Sequence, residues 1–329
     1  MAPLLELEGV TKRFAVRGPR LLGERRSLAA VDGVSLQLEA GETLGLVGES
    51  GCGKSTLARC IAGLHRPSAG AIRFEGRDLA GLARGERREL RRELTMVFQD
   101  PYASLNPRKR AGEIIGLPLR IHKLASGRAL DARVDELLEL VGLSAEHAQR
   151  YPHEFSGGQR QRIGLARALA TRPRLVICDE PVSALDVSIQ AQILNLLKSL
   201  QAELGLTLVF IAHDLGVVRH VSDRVAVMYL GRVVEVADAD TLFRAPQHPY
   251  TEALLSAVPV PDPDVPLTEI VLEGDVPSPI DPPSGCHFHP RCPCAEARCS
   301  VEAPELAPSG TGEARSACLI PLAERVLRR

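Results

Sequence analysis

The segment GESGCGKS, residues 48–55, matches the pattern G-x-x-x-x-G-K-[ST] at every fixed position. It follows the short apolar run TLGLV and precedes the helical pattern LARCIAGL. A strand, a glycine-rich loop and a helix in that order are the context in which this pattern binds phosphate, because successive backbone N–H groups and the positive end of the helix face the anion. The sequence therefore predicts a phosphate loop for MgATP. Its predicted ATP-binding residues are Gly48, Glu49, Ser50, Gly51, Cys52, Gly53, Lys54, Ser55 and Thr56.

Two adjacent acids, Asp179 and Glu180, follow a second apolar run, LVIC. Mg²⁺ in phosphoryl-transfer sites takes a hydroxyl and a carboxylate as ligands, so we expect Ser55 and Asp179 to bind it. A carboxylate also suits the group that orients and deprotonates the water attacking the γ-phosphorus, and we assign this catalytic role to Glu180. The alternative, that the two acids only cap the end of a strand, is weaker beside a phosphate loop. A third apolar run, TLVFIA, ends on His213.

The composition is that of an ordinary globular protein. The 329 residues are 45% hydrophobic and 25% charged, with a formal net charge of −1, so no global charge favours nucleic acid or an anionic membrane surface. Residues 1–10 lack the basic start and the apolar stretch of a signal peptide. No apolar run approaches the roughly 20 residues of a membrane-spanning helix. We therefore expect an α/β protein in the cytoplasm, whose short apolar strands form a mostly parallel sheet covered by helices.

The composition changes near residue 246. Most of the 24 prolines and five of the eight cysteines lie beyond this point. We therefore predict a nucleotide-binding domain at 1–245 and a loop-rich appendage at 246–329. Within the first of these, the charged run RGERRELRRE (Arg84–Glu93) is interpreted as the solvated face of a helix rather than as a binding patch.

The segment FSGGQRQR, residues 155–162, resembles the ABC signature, usually LSGGQ, with Phe155 at the first position. Other motifs of that family stand in order around it: Gln99 resembles the Q-loop, SALD (183–186) the D-loop, and His213 the switch histidine. The chain is thus similar to ABC ATPases. The resemblance implies an α/β P-loop NTPase with a mostly parallel core sheet, an antiparallel β subdomain, a helical signature subdomain at about 100–165 and a loop-rich C-terminal extension.

The same resemblance implies how ATP is used. In the family, two such domains close head to tail over two nucleotides, so that the signature of one chain contacts the γ-phosphate held by the other. The residues implied in this contact in trans are Ser156, Gly157, Gly158 and Gln159, and Asp186 is implied in dimer coupling. Gln99 is expected to contact Mg²⁺ and the attacking water, and His213 the γ-phosphate, so both join Glu180 as catalytic residues. Phe14 falls where the family stacks an aromatic ring on adenine, although a core position is the alternative.

Three further segments resemble one branch of the family, the ATP-binding subunits of oligopeptide, dipeptide and nickel importers. They are YPHE (151–154), QHPYT (247–251) and PSP (277–279) leading to Cys286. The resemblance covers nearly the full length. It implies an ATPase that powers peptide import as a peripheral subunit on the cytoplasmic face of the cell membrane. The implied partners are a second ABC ATPase subunit in a heterodimer, two integral membrane permeases and an extracytoplasmic solute-binding protein, and no nucleic acid. Nickel and other small solutes stay open as cargo, and a homodimer stays open as the assembly.

The cysteines beyond residue 246 are Cys286, Cys292, Cys294, Cys299 and Cys318. The importer branch has a C-x5-C-x6-C…C arrangement, which here selects Cys286, Cys292, Cys299 and Cys318, and in some members it is associated with a [4Fe–4S] cluster. Four thiolates suit that cluster or zinc. Free or disulfide-paired thiols are the remaining alternative, and Cys294 could replace Cys292.

Two other function classes are less compatible with the sequence. Chromosome-acting ABC ATPases insert a long coiled coil between the phosphate loop and the signature, and ribosome-acting ones usually carry two ATPase cores, whereas this chain has neither feature. A regulatory module that keeps ATP without cleaving it would be expected to lose the catalytic base, yet both Glu180 and His213 are present.

Overall fold

The computed structural model describes residues 3–16, 26–258, 270–310 and 312–325. They fall into two compact units, each built from segments that are distant in sequence. The first unit takes the described residues of Met1–Leu38, Leu44–Ala80 and Ala212–Arg329, and the second takes Glu39–Thr43 and Gly81–Ile211. None of the helices in the described ranges is long and apolar enough to span a membrane.

The described residues form twelve strands, which range from two to thirteen residues in length. They are β1 (Leu5–Val16), β2 (Arg26–Leu38), β3 (Thr43–Val47), β4 (Ala69–Phe74), β5 (Arg77–Asp78), β6 (Leu94–Val97), β7 (Leu175–Asp179), β8 (Thr207–Ile211), β9 (Arg224–Tyr229), β10 (Arg232–Asp238), β11 (Ala307–Pro308) and β12 (Arg315–Ser316).

The α-helices of the same residues are α1 (Lys54–Ile61), α2 (Arg84–Glu93), α3 (Pro101–Ser104), α4 (Ala111–Ile121), α5 (Gly127–Leu140), α6 (Gly157–Leu169), α7 (Val187–Leu204), α8 (Leu215–Val221), α9 (Ala239–Arg244) and α10 (Pro249–Ser256). Single 3₁₀ turns cover Ala145–Gln149, Pro152–Glu154, His289–Arg291, Ala297–Ser300 and Leu322–Glu324.

The first unit contains an antiparallel sheet and a mixed one. The antiparallel sheet has the order β2-β1-β4-β5, and β1 pairs with β2 from Leu5 opposite Leu38 to Val16 opposite Arg26. In the mixed sheet β3 runs parallel to β9, while β9, β10, β12 and β11 pair antiparallel in that order. The five residues of β3 are all buried. This strand therefore leads straight from the core of the unit into the loop at 48–55.

The second unit combines a parallel sheet with a helical bundle. Strands β6, β7 and β8 pair in parallel, with Leu175 opposite both Leu94 and Thr207. Every residue of β7 and β8 is buried, as is expected for parallel strands that are covered on both faces. In the bundle, α4 packs against α5 and α6, and α6 packs against α3 and α7. Strand β7 ends at Asp179, so the two predicted acidic residues stand at its carboxyl end.

The α/β fold predicted from the alternation of apolar strands and helices is confirmed. The helix predicted after the phosphate loop begins at Lys54. The charged run Arg84–Glu93 forms α2, in which Leu90 is the buried residue, and this confirms its interpretation as a solvated helix. The resemblance also implied an antiparallel β subdomain and a helical signature region, and the described residues contain both.

Candidate nucleotide site

The loop at 48–55 has a backbone that only glycine fits at two positions. Gly48, Gly51 and Gly53 have φ angles of 146°, 81° and 110°, where a Cβ is disfavoured. A Cβ added to Gly48 would lie 2.2 Å from the carbonyl oxygen of Met228, and one on Gly53 would lie 2.1 Å from that of Ala30. Because these neighbours are backbone atoms of β9 and β2, they cannot move easily. The glycines of the motif are thus required by the packing of the loop itself.

Lys54 lies inside this loop. Only 4% of the residue is exposed, and its Nζ donates to the carbonyl oxygens of Gly48 and Glu49 at 2.7 and 3.0 Å. It is also the first residue of α1, whose N-cap is Gly53 and whose first turn contains no acid. A buried ammonium group, a helix N-terminus and a closely wound glycine backbone form a cationic cradle. This donor set fits the phosphates of a nucleotide.

The second residue of the loop is held by the C-terminal segment, which we define as residues 246–325. The Glu49 N–H donates to the hydroxyl of Tyr250 at 2.8 Å. The Glu49 carboxylate accepts two hydrogen bonds from Arg291, at 2.8 and 3.1 Å. Sequence reasoning missed both contacts. The motif QHPYT drew attention to Tyr250 only as a family marker, and nothing local to Arg291 points to residue 49.

Tyr250 is positioned by the buried motif QHPYT. The carboxylate of Glu235, which is fully buried, accepts the N–H groups of Gln247 and His248 at 2.6 and 2.9 Å. The ring of His248 in turn accepts the N–H of Tyr250 at 3.1 Å and so caps α10. Burial lowers the pKa of His248 to about 3, so the ring is neutral at physiological pH and able to accept this hydrogen bond. The motif therefore fixes the start of α10.

In the second unit the structure brings Gln99 and Glu180 together. The Gln99 amide donates to the Glu180 carboxylate at 2.7 Å. Glu180 has a φ of 47°, a left-handed conformation that is unfavourable for a residue with a side chain. Its N–H donates to the carbonyl of Ile211 at 3.0 Å, which links the end of β7 to the end of β8. Asp179 is 2% exposed. The two predicted acidic residues thus differ in exposure, since Asp179 is buried at the strand end and Glu180 is half-buried beyond it.

The predicted signature caps the N-terminus of α6. The Ser156 hydroxyl accepts the Gln159 N–H at 3.3 Å, and the Gln159 side chain accepts the Ser156 N–H at 3.0 Å. This is a capping box. Phe155 is 3% exposed, so the first position of this segment holds a buried apolar side chain. A Cβ on Gly158 would lie 2.4 Å from Cγ2 of Ile189, so packing against α7 within the chain already requires this glycine.

Three other predicted residues have defined local roles. Asp186 is the N-cap of α7 and accepts the Ile189 N–H at 3.0 Å. This backbone hydrogen bond, together with one from the Ser188 hydroxyl, lowers the pKa of the Asp186 carboxyl. His213 is exposed and follows β8 by two positions. Phe14 is half-buried rather than part of the core, and the Nζ of Lys12 lies 5.1 Å from its ring centroid. The roles of Asp186 in dimer coupling, His213 at the γ-phosphate and Phe14 at adenine stay predictions.

The five cysteines of the C-terminal segment lie in one small cluster. Its members are Cys286, Cys292, Cys294, Cys299 and Cys318, packed with Leu319 and Ile320. All are free of disulfides. Burial raises the pKa of Cys292 to about 12, so this thiol is protonated at neutral pH. Thiols are suitable donors for iron or zinc. Within the described ranges, however, no three Cys, His, Asp or Glu side chains are arranged so that they could hold a metal ion.

Comparison with known proteins gives consistent results along the chain. Residues 31–183 match the ABC transporter family, and residues 234–299 match the C-terminal region of oligopeptide/dipeptide transporters. A probable peptide ABC transporter ATP-binding protein of Sinorhizobium fredii is 55% identical over 311 residues, which cover 94% of this chain and 88% of that protein. The oligopeptide transport ATP-binding protein OppF of Escherichia coli is 56% identical over 308 residues, with 92% of each chain covered.

A solved structure of an ATP-binding cassette is also similar to this chain. A dimeric, post-hydrolysis ATP-binding cassette bound to ADP and Pi is 32% identical to this chain, with a TM-score of 0.63. The match covers 71% of this chain and 98% of that one.

Proposed function

Because the chain belongs to the ABC transporter family and to its oligopeptide/dipeptide branch, and is the ATP-binding, ATP-hydrolysing subunit of a peptide importer, we propose that it works as one half of an ATPase heterodimer. The other half is a second ABC ATPase subunit. The pair binds two integral membrane permeases at the cytoplasmic face of the membrane, and an extracytoplasmic solute-binding protein delivers the cargo. The observation that best supports this function is the loop at 48–55, in which a buried Lys54 lies among glycines whose packing excludes side chains.

The assignment of residues to steps follows from their chemistry. MgATP is the substrate. We propose that the backbone N–H groups of the loop and Lys54 bind its phosphates, that Ser55 and Asp179 contribute Mg²⁺ ligands, and that Phe14 stacks on the adenine. Glu180 orients and deprotonates the attacking water.

Three further roles complete this proposal. Gln99, whose amide donates to the Glu180 carboxylate, contacts Mg²⁺ and the attacking water. His213 contacts the γ-phosphate. Ser156, Gly157, Gly158 and Gln159 complete the site of the partner ATPase in trans, and Asp186 couples the two sites.

Transport by the reconstituted complex tests the proposed function. The chain, the sister ATPase, both permeases and the binding protein are placed in proteoliposomes, and uptake of labelled dipeptide, oligopeptide and Ni²⁺ is measured. We expect uptake of peptide that depends on MgATP. Uptake of Ni²⁺ without peptide would contradict the peptide cargo. Undiminished uptake after omission of the sister ATPase would contradict the heterodimer.

The four-thiolate site is a separate proposal. We propose that Cys286, Cys292, Cys299 and Cys318 hold a [4Fe–4S] cluster, supported by the chemistry of the donors and by the packing of the five thiols into one cluster. Among the described residues the thiols do not surround a common centre, and we derive no step of ATP hydrolysis from a cluster. When bound, it would link turns of a segment that has little core of its own.

Iron analysis decides this proposal. Anaerobically purified protein is expected to be brown and to contain about four iron atoms per chain. A Cys299→Ser variant should lose the colour and the iron, whereas Cys60→Ser, which changes a buried thiol of α1, should keep both. Colourless, iron-free protein would eliminate the cluster, and stoichiometric zinc would replace it with a zinc site.

A further inference from the structure

The C-terminal segment contacts the side chain of Glu49, in the phosphate loop, through the guanidinium of Arg291. Its two terminal nitrogens donate to the two carboxylate oxygens of Glu49, at 2.8 and 3.1 Å. The side chain of Arg291 is 8% exposed and that of Glu49 is 27% exposed. A two-point contact of this kind fixes the orientation of both groups as well as their distance. The carboxylate of the loop therefore has a single defined position.

Arg291 is itself held rigidly. It ends the 3₁₀ turn His289–Arg291, and its N–H donates to the carbonyl of Phe288 at 3.0 Å. The rings of Phe288, Tyr229 and Tyr250 form a cluster with centroids 4.8 to 5.3 Å apart, and all three residues are at most 1% exposed. Pairing with Glu49 raises the pKa of Arg291 above its usual value, so the guanidinium stays charged at every physiological pH.

The charge of Glu49 makes this contact significant for the substrate. The loop must accept a nucleoside triphosphate, which carries several negative charges. Glu49 adds a carboxylate to the same eight-residue segment. Like charges that are partly shielded from water repel strongly. The buried guanidinium cancels this charge and holds the carboxylate on the side of the C-terminal segment. If the guanidinium were removed, the phosphate loop would carry this negative charge without a partner.

We propose that Arg291 is a positioning residue for ATP binding, which acts by neutralising and fixing Glu49 of the phosphate loop. The proposal rests on the proposed role of the loop in binding MgATP. It gives the C-terminal segment a part in nucleotide affinity, in addition to any part in assembly.

The test compares Arg291→Gln with Glu49→Gln in the reconstituted complex, measuring KM for ATP and kcat. Arg291→Gln leaves a lone carboxylate and is expected to raise KM roughly ten- to a hundredfold, with a smaller change in kcat. Glu49→Gln removes the negative charge and is expected to lower KM about two- to fivefold. A merely structural ion pair would respond differently, because the two variants break the same contact and would shift KM in the same direction.

The double variant and a matched control complete the experiment. Adding Glu49→Gln to Arg291→Gln should return KM to at or below the parent value. The control is Arg298→Gln, which breaks an exposed ion pair with Glu296 in the same segment and should leave KM and kcat unchanged. A KM for Arg291→Gln within twofold of the parent, or a double variant without rescue, would overturn the proposal.

If Arg291→Gln does not fold, Arg291→Lys and Glu49→Gln decide the question. Arg291→Lys keeps the charge without the two-point contact and should raise KM less than tenfold, and a rise of tenfold or more in Glu49→Gln would refute the idea. If the parent complex shows no turnover that depends on MgATP, the proposed function fails, and tighter binding of a fluorescent ATP analogue to Glu49→Gln than to Arg291→Gln still tests the positioning role.

Discussion

Replacing Glu180 by Gln is expected to lower the rate of ATP hydrolysis by about a hundredfold to ten-thousandfold, the range that general bases usually contribute. The substitution removes the negative charge and the ability to accept a proton, while it keeps the size and shape of the side chain. The new side-chain amide still fits the half-buried position and still offers an oxygen to the Gln99 amide, which lies 2.7 Å from the carboxylate in the parent. The backbone of residue 180, with its φ of 47° and its hydrogen bond to Ile211, stays as it is. Binding of ATP should therefore survive while turnover is lost.

Three measurements check this expectation. Phosphate release gives kcat, fluorescence of a bound ATP analogue gives affinity, and gel filtration in the presence of ATP shows whether the variant accumulates as a closed dimer with its sister subunit. Glu203→Gln is the matched control, since it makes the same chemical change at an exposed position of α7. Turnover of Glu180→Gln near the parent rate would remove Glu180 from the role of base and shift attention to His213.

Local patterns in the sequence were sufficient for the parts of the site that lie on continuous segments. The phosphate loop, the helix that starts at Lys54 and the strand that ends at Asp179 each follow from about ten neighbouring residues, because glycine, hydrophobic periodicity and strand length act over that range. The capping box of Ser156 and Gln159 is equally local. These elements were predictable because their physical causes lie within one turn or one strand.

Contacts between distant segments were not predictable from such patterns. Glu49 and Arg291 are 242 positions apart, and Glu49 and Tyr250 are 201 apart, so no periodicity links them. In the sequence, Glu49 and Tyr250 stand in two separate motifs, and Arg291 belongs to neither. The same reason applies to Gly158, where a side chain would clash with Ile189 on another helix. A glycine in a ligand-binding motif can thus have two reasons for lacking a side chain, the packing within the chain and the proposed contact with the ligand.

The cysteines illustrate the opposite difficulty. The spacing shared with the importer branch led to the expectation that Cys286, Cys292, Cys299 and Cys318 share a site, and the structure does gather them with Cys294 in one cluster. Proximity is nevertheless a weaker condition than coordination, which needs thiolates directed at one centre. In this structure the five cysteines pack with Leu319 and Ile320 as a small core, and burial raises the pKa of Cys292 within it.

The second large effect is expected from Gly48→Ala, which should weaken ATP binding by roughly a hundredfold or more. Residue 48 has a φ of 146°, and the new Cβ would lie 2.2 Å from the carbonyl oxygen of Met228. That oxygen belongs to β9, which pairs with both β3 and β10, so the loop must move instead of the strand. A shift of about 1 Å in groups that hold a substrate is enough to cost roughly two orders of magnitude. The carbonyl of Gly48 would also be displaced from the Nζ of Lys54.

Gly51→Ala separates this steric effect from simple backbone strain. Residue 51 also has a positive φ, 81°, but no atom lies within 4 Å of an added Cβ. Its cost should be limited to the left-handed conformation, about 1–2 kcal/mol, which corresponds to a loss of affinity of about tenfold if the strain falls on the bound state. Calorimetric titration with MgATP, together with thermal unfolding of both variants, makes the comparison. Equal affinities for the two variants would show that the Met228 carbonyl does not confine the loop, and that the glycine at 48 serves only its backbone conformation.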